Sequence, residues 1–390
     1  MNVQASPAKP AGSRERSLEE VKAEFMRRAG RLNPFEEISR EDAETVMNAL
    51  TDLDKDRWAR EWSKIGHGYE EKADARAKAG ASGKDLAELY MQAFDACRVG
   101  RYPTPTSPGK FQAYQDSLRM FRKAAKYFDP PLETVELPFG DKKLIGYLQR
   151  PPGVAKPAVV LHWGGVDGWK EDRLRIAKSI MDAGLASLTI DMPGSGENPV
   201  LYSHPEAERT YLAWLDHLPQ RTDVDGKRVA VWGGSFGGYW AARLAYVAHD
   251  RIKGAVFHGG SVHYGFQKEW LIPAFTTGGA TYLFGAHSLL EARSRAMGTN
   301  TLEEFLEIAP RFSLVTMGLI DKPSAPILGV NGKLDDQAPV DDIYLLMEHG
   351  SPKAARIYAD GHHMGRTPGQ PSDHITTTIV EWLKGQLAAR

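Results

Sequence analysis

From residue 158 onward, short apolar runs alternate with longer amphipathic ones, and this rhythm restricts the fold more than any other feature of the chain. Runs at 158–163, 185–190, 228–232 and 254–258 are short, apolar and read as buried strands. Between them, 171–183, 205–218 and 238–249 place apolar residues three and four apart and read as helices. Such alternation predicts a mostly parallel, doubly wound α/β sheet with helices on both faces. A hairpin at 134–137 and 144–148, turning at Gly140-Asp141, opens this part of the chain. The rhythm lapses between 259 and 324 and resumes with strands at 326–330 and 355–359 and helices at 340–349 and 373–387. The lapse, with Trp270, Phe275, Tyr282 and Phe284, is expected to be a lid-like insertion over the active face.

At 390 residues the chain is longer than one typical domain, which leaves room for a core of about 250 residues and an accessory part. Residues 17–130 are helical in pattern, with Val21, Phe25 and Met26, then Leu86, Leu89, Tyr90 and Ala93, at helical spacing. Trp58 and Trp62 lie one helical turn apart and are expected to pack between helices, while Pro103, Pro105 and Pro108 break two helices. The expected organisation is a disordered leader at 1–16, a helical accessory domain at 17–130 and a catalytic domain at 131–390.

Composition narrows the partners. A formal net charge of −1 gives no footprint for nucleic acid or an anionic membrane, so the expected partner is a small molecule. The single cysteine, Cys97, excludes an internal disulfide and a cysteine-based metal site. The polar start of the chain has no apolar run of signal-peptide type, and no later stretch has the length of a membrane span, so a cytoplasmic location is expected.

The chemistry concentrates at strand ends. Residues 229–240 read as a strand, a glycine-rich corner carrying Ser235 and a helix start, with Gly233 and Gly237 two before and two after the serine. This G-x-S-x-G corner holds a serine on a strained turn, and small flanking residues let strand and helix approach. In an open parallel sheet functional groups gather at the carboxyl ends of strands. After the 326–330 strand comes Asn331-Gly332-Lys333-Leu334-Asp335-Asp336, and after the last strand comes Asp360-Gly361-His362-His363-Met364-Gly365. A hydroxyl is a poor nucleophile unless an imidazole takes its proton and a buried carboxylate fixes the imidazole's tautomer. The order Ser, Asp, His is that of α/β-hydrolases. Asp335 is preferred over Asp336 by its placement between Gly332 and Pro339, and His362 over His363 because it directly follows the loop glycine. His162, His258 and His263 stand second, near the sheet's active end. The oxyanion donors are expected to be the backbone N–H of Phe236 and that of Gly165 or Val166, in the glycine-rich 162–168 loop.

These motifs together resemble a known group. HWGG at 162–165, KED at Lys170 to Asp172, the 189–197 segment containing Asp191 and Glu197, and GGSFGG at 233–238 are similar to the 2,6-dihydroxypseudooxynicotine hydrolase and FrsA-type esterases, a group that includes fungal polyketide-shortening hydrolases. The similarity extends over the helical region with Trp58 and Trp62. It implies that the helical domain covers the active site, that some members cleave a carbon–carbon bond beside a ketone, and that no cofactor is needed. It places Ser235, Asp335 and His362 on the group's triad positions and, with the aromatic-rich accessory domain, points to a homodimer. The DGHHMG segment departs from the cysteine-containing segment of the nicotine-pathway member.

The resulting expectation is a serine hydrolase that forms an acyl-enzyme from an ester or a β-dicarbonyl compound of bulky, aromatic character. Two alternatives stay open: an acyltransferase using the same triad, and a binding or regulatory protein on a hydrolase scaffold. A dehalogenase or epoxide hydrolase would need an acidic residue at position 235, where this chain has serine.

Overall fold

The structure is a computed structural model that describes residues 7–278, 281–350 and 352–388. Five helices come first: α1 (Leu18–Arg28), α2 (Arg40–Ala49), α3 (Lys55–Lys78), α4 (Gly83–Arg101) and α5 (Pro108–Ala125). Each begins on a side chain that accepts a backbone N–H, namely Ser17, Ser39, Asp54, Ser82 and Ser107, so donors left open at the helix start are satisfied locally. At α1 the Ser17 and Glu20 pair is reciprocal, a capping box. The proline-rich stretch between α4 and α5 separates two helices that pack on each other, as its composition predicted.

Trp58 and Trp62 on α3 are almost fully buried, Trp58 with its indole N–H donating to the Val99 carbonyl at 2.8 Å. Phe25 meets Trp62 at 5.1 Å between ring centroids and Phe35 at 4.4 Å. Leu283 and Phe284, from the segment expected to be an insertion, belong to the same cluster, Phe284 edge-on to Trp58 at 5.0 Å. The helical region and the insertion therefore share one apolar core.

The second part is an eight-stranded sheet in the order β1-β2-β4-β3-β5-β6-β7-β8. Its strands are β1 (Glu133–Phe139), β2 (Lys142–Gln149), β3 (Ala158–Trp163), β4 (Ala186–Ile190), β5 (Asp225–Gly234), β6 (Ala255–His258), β7 (Ile327–Gly332) and β8 (Lys353–Tyr358). The β1–β2 and β2–β4 pairs are antiparallel and the remaining pairs parallel. Every residue of β3, β4 and β6 is buried, the signature of strands covered on both faces. The covering helices are α6 (Leu174–Asp182), α7 (Ala207–His217), α8 (Gly238–Val247), α12 (Asp341–Glu348) and α13 (Asp373–Ala388).

Two sequence expectations are corrected. The helix expected over 171–183 starts as a 3-10 turn, Lys170–Arg173, because the Lys170 N–H and ammonium are both drawn to Asp191 at the end of β4. The leader expected to be disordered at 1–16 is ordered where it is described. Its residues 1–6 lie outside the described residues, but Arg14 donates its N–H to the Thr276 carbonyl at 2.9 Å, Glu15 bridges Gly285, and the Pro7 carbonyl meets His287 Nε2 at 3.0 Å. Backbone pairing with the insertion, which local composition does not reveal, supplies this order.

Between β6 and β7 the chain forms α9 (Lys268–Thr276), α10 (Ala286–Met297) and α11 (Leu302–Ile308). Asp342, at the start of α12, holds the beginning of this excursion by accepting four backbone N–H groups, from Val262, His263, Tyr264 and Gly265, at 2.8 to 3.1 Å.

Candidate active site

β5 ends at Gly234, and Ser235 follows with φ of 54° on a 3-10 turn that leads into α8. A non-glycine residue in this left-handed region is strained and must be held by its surroundings. Close packing holds it: a Cβ on Gly237 would lie 2.1 Å from the Gly164 carbonyl oxygen, so only glycine lets the corner meet the 164–168 loop. Trp163 adds an indole N–H to the Gly237 carbonyl at 2.8 Å.

The Ser235 hydroxyl lies 2.7 Å from His363 Nε2, and His363 Nδ1 lies 2.8 Å from Asp335 Oδ2. Asp335 is buried and also accepts from Asn331 Nδ2 at 2.9 Å and from the N–H groups of Gln337 and Ala338 at 2.8 and 3.2 Å. With the carboxylate accepting from Nδ1–H, Nε2 is left to accept the serine proton. Asp336, the alternative carboxylate, points elsewhere and accepts from the N–H and hydroxyl of Thr281 in the insertion.

The histidine chosen from sequence, His362, is corrected to His363. A Cβ on Gly332 would lie 2.1 Å from the Gly361 carbonyl and 2.2 Å from that of His362, so the backbone at 361–362 packs flat on the end of β7. The His362 ring is turned to the protein surface, its Nδ1 3.2 Å from the Leu334 carbonyl. The next residue then faces inward. Met364, at φ of 62°, closes the turn, giving its N–H to Asn331 Oδ1 at 3.0 Å while its carbonyl meets His258 Nε2 at 2.9 Å. The side-chain amide of Asn331 thus bridges Asp335 and the residue after His363, a link that sequence reasoning missed.

The three secondary histidines have other work. His162 Nδ1 accepts from Arg173 Nε at 2.9 Å, so its Nε2–H donates to Ser187 at 2.7 Å, and burial holds its pKa well below the usual value. His263 meets the Ser313 hydroxyl at 2.7 Å. His258 Nδ1 accepts from the Trp232 indole at 3.3 Å, which directs Nε2–H onto the Met364 carbonyl, and burial lowers its pKa to about 3. A histidine whose folded pKa is depressed contributes stability above its unfolded pKa near 6.5 and loses it as the pH falls toward the folded value. The parent protein is therefore expected to unfold at higher urea than His258→Asn at pH 7. The stability gap should narrow by about 1.4 kcal/mol per pH unit below pH 6.5, and a constant gap between pH 7 and 4.5 would contradict this role.

Gly165 packs directly on the serine: a Cβ there would lie 2.7 Å from Ser235 Cβ and 3.2 Å from the Phe236 nitrogen. The Gly165 backbone and the Phe236 nitrogen, two of the expected oxyanion elements, thus lie beside each other at Ser235. Over Phe236 the insertion places Arg293, whose guanidinium carbon is 5.3 Å from the ring and which donates to the Gln337 carbonyl at 2.7 Å. Burial lowers its pKa, against the attraction of Asp335. Its only sequence signal is an arginine among the apolar positions of 286–297.

The KED segment is a brace. Lys170 Nζ meets Glu171, Asp191 and Glu197 at 2.7, 2.8 and 2.9 Å, and Arg122 of α5 reaches Glu197 at 2.9 Å. Burial pushes the Glu171 carboxyl up. The cluster joins the loop after β4 to the helical domain. Among the described residues, no group of three or more His, Cys, Asp or Glu side chains could hold a metal ion, and no helix is long and apolar enough to cross a membrane.

A mostly parallel eight-stranded sheet carrying a serine corner after its fifth strand defines an α/β-hydrolase. A family model described as Esterase FrsA-like matches residues 35–361. The chain belongs to the FrsA-like esterase family. Esterase FrsA of Photobacterium profundum is 24% identical over 357 residues, 89% of this chain and 80% of that protein. Esterase FrsA of Yersinia pestis (strain Pestoides F) is 29% identical over 223 residues, 56% of this chain and 53% of that protein, so the match spans about half of that relative. Among solved structures, 2,6-dihydroxy-pseudo-oxynicotine hydrolase aligns with a TM-score of 0.74 at 20% identity, covering 90% of this chain and 93% of that one. AbyA5 aligns with a TM-score of 0.70 at 21% identity, covering 89% and 94%. At these identities the structural likeness speaks for the fold, including the helical N-terminal region.

Proposed function

We propose that the chain is a cofactor-independent serine hydrolase that cleaves an acyl bond through a covalent acyl-enzyme. The observation that carries this reading is the continuous relay from Ser235 Oγ through His363 to Asp335, with contacts of 2.7 and 2.8 Å. In the first half-reaction Ser235 Oγ attacks the substrate carbonyl carbon while its proton passes to His363 Nε2. Asp335 keeps the imidazole oriented and stabilises the imidazolium. The negative charge developing on the carbonyl oxygen is taken by the N–H of Phe236 and by that of Gly165 or Val166. When the bond to the leaving group breaks, His363 returns the proton to the leaving oxygen of an ester or to the leaving carbon of a β-dicarbonyl compound. Water, deprotonated by His363, then releases the acid and restores Ser235.

Ester cleavage is the leading reaction, in keeping with the esterase relatives. A bulky aromatic substrate is supported by the rings around Phe236, with Tyr202 stacked on it at 4.4 Å and Phe266 at 6.4 Å. The test is intact-mass analysis after treatment with a fluorophosphonate, together with a panel of aryl esters and β-diketones. One adduct on Ser235 and none on Ser235→Ala is the expected result. A parent protein that hydrolyses an aryl ester while Ser235 stays unlabelled would rule the reading out, and turnover of esters alone would remove the carbon–carbon option.

A further inference from the structure

The glycine-rich loop at 164–168 has little conformational preference of its own, yet it must present an N–H to the substrate oxygen within a few tenths of an ångström. Two of its carbonyls are tied from outside. The Val166 carbonyl accepts from the Trp169 indole at 2.9 Å, and the Asp167 carbonyl accepts from Arg101 Nη1 at 2.9 Å. Arg101 is the last residue of α4, in the helical domain, and is 2% exposed. Its Nη1 also donates to the Pro103 carbonyl at 3.0 Å and its Nη2 to Asp172 Oδ2 at 2.6 Å. Its guanidinium lies over the Trp169 ring at 3.8 Å, and Asp172 Oδ2 accepts the Trp169 N–H at 2.6 Å. The ring is pinned from its other neighbour by Tyr114 of α5, edge-on at 4.6 Å. One side chain thus fixes the Asp167 carbonyl directly and the Val166 carbonyl through Trp169.

We infer that Arg101 is a positioning residue for the oxyanion site, so that the helical domain sets the geometry of the reaction. The inference rests on the serine-hydrolase reading above. Lysine at 101 keeps a charge for Asp172 but cannot serve three acceptors in one plane or stack on the indole. Phenylalanine at 169 keeps an aromatic face for Arg101 and Tyr114 on a smaller ring and loses the N–H to Val166.

The experiment compares the parent, Arg101→Lys and Trp169→Phe on one aryl ester, with rates divided by the concentration of Ser235 titrated by fluorophosphonate. Each variant should lose roughly 10-fold to 100-fold in kcat, a fraction of the loss on deleting an oxyanion donor outright, with KM moved less than about threefold. Affinity for an aryl boronic acid, which forms a tetrahedral adduct on the serine, should fall in parallel, while affinity for the product acid stays unchanged. An interface with a purely structural role would instead lower the melting temperature and leave kcat per titrated serine intact, which overturns the inference. If Arg101→Lys does not fold, Trp169→Phe decides the question by the same two readouts. Turnover that survives in Ser235→Ala would show that the underlying reading has failed, a result separable from a parent-like Arg101→Lys.

Discussion

His363→Ala and Ser235→Ala are each expected to lower kcat on an aryl ester by about 10⁶-fold, the scale seen when a member of a serine triad is removed, while His362→Ala stays within about threefold of the parent. The contrast rests on neighbouring residues with opposite surroundings. His363 is buried between Ser235 and Asp335, and without it the hydroxyl has no acceptor for its proton at neutral pH. His362 touches the Leu334 carbonyl, at the surface. The loss in His363→Ala should appear in kcat with little change in KM, because the ring binds the proton in flight rather than the substrate. The measurement is steady-state kinetics on all three variants, with circular dichroism to show that each is folded. If His362→Ala fell as far as His363→Ala, the base would be wrongly assigned.

Asp335→Ala is expected to lower kcat by about 10⁴-fold, less than the loss of the histidine, because the imidazole can still accept a proton in the fraction of time it adopts the right tautomer and pose. Asp335→Asn should lose about as much, since an amide can donate to Nδ1 and stabilise the tautomer that carries its proton on Nε2. Asp336→Asn should keep kcat near the parent value and lower stability, because that carboxylate serves Thr281 in the insertion. Kinetics and urea unfolding on the two positions separate the roles, and a large kcat loss at 336 would reverse them.

Much of this site was legible in the chain itself. The serine corner is local: small residues at fixed offsets around Ser235 specify a strand-to-helix turn whatever lies elsewhere. Asp335 could be chosen over Asp336 for a similar reason, since the turn between Gly332 and Pro339 is short and its geometry constrained. The choice between His362 and His363 was not legible, because it depends on how the backbone after β8 lies on Gly332, a contact between segments about thirty residues apart in sequence. Asn331, Arg101 and Arg293 were invisible for the same reason. An arginine at the end of a helix or in the middle of one reads as a solvated charge until the chain folds a backbone carbonyl, an indole or a phenyl ring against it.

What the sequence determined by itself was the sheet, its helices and the glycine-flanked corner at Ser235, because hydrophobic period and glycine spacing act over a few residues and need no distant partner. What only the tertiary structure decided was which histidine turns inward, that residues 7–16 pair with the insertion, and that the helical domain grips the 164–168 loop through Arg101. Each of these depends on a burial or a hydrogen bond between segments that meet only after folding, where desolvation leaves one arrangement satisfied and its neighbours not.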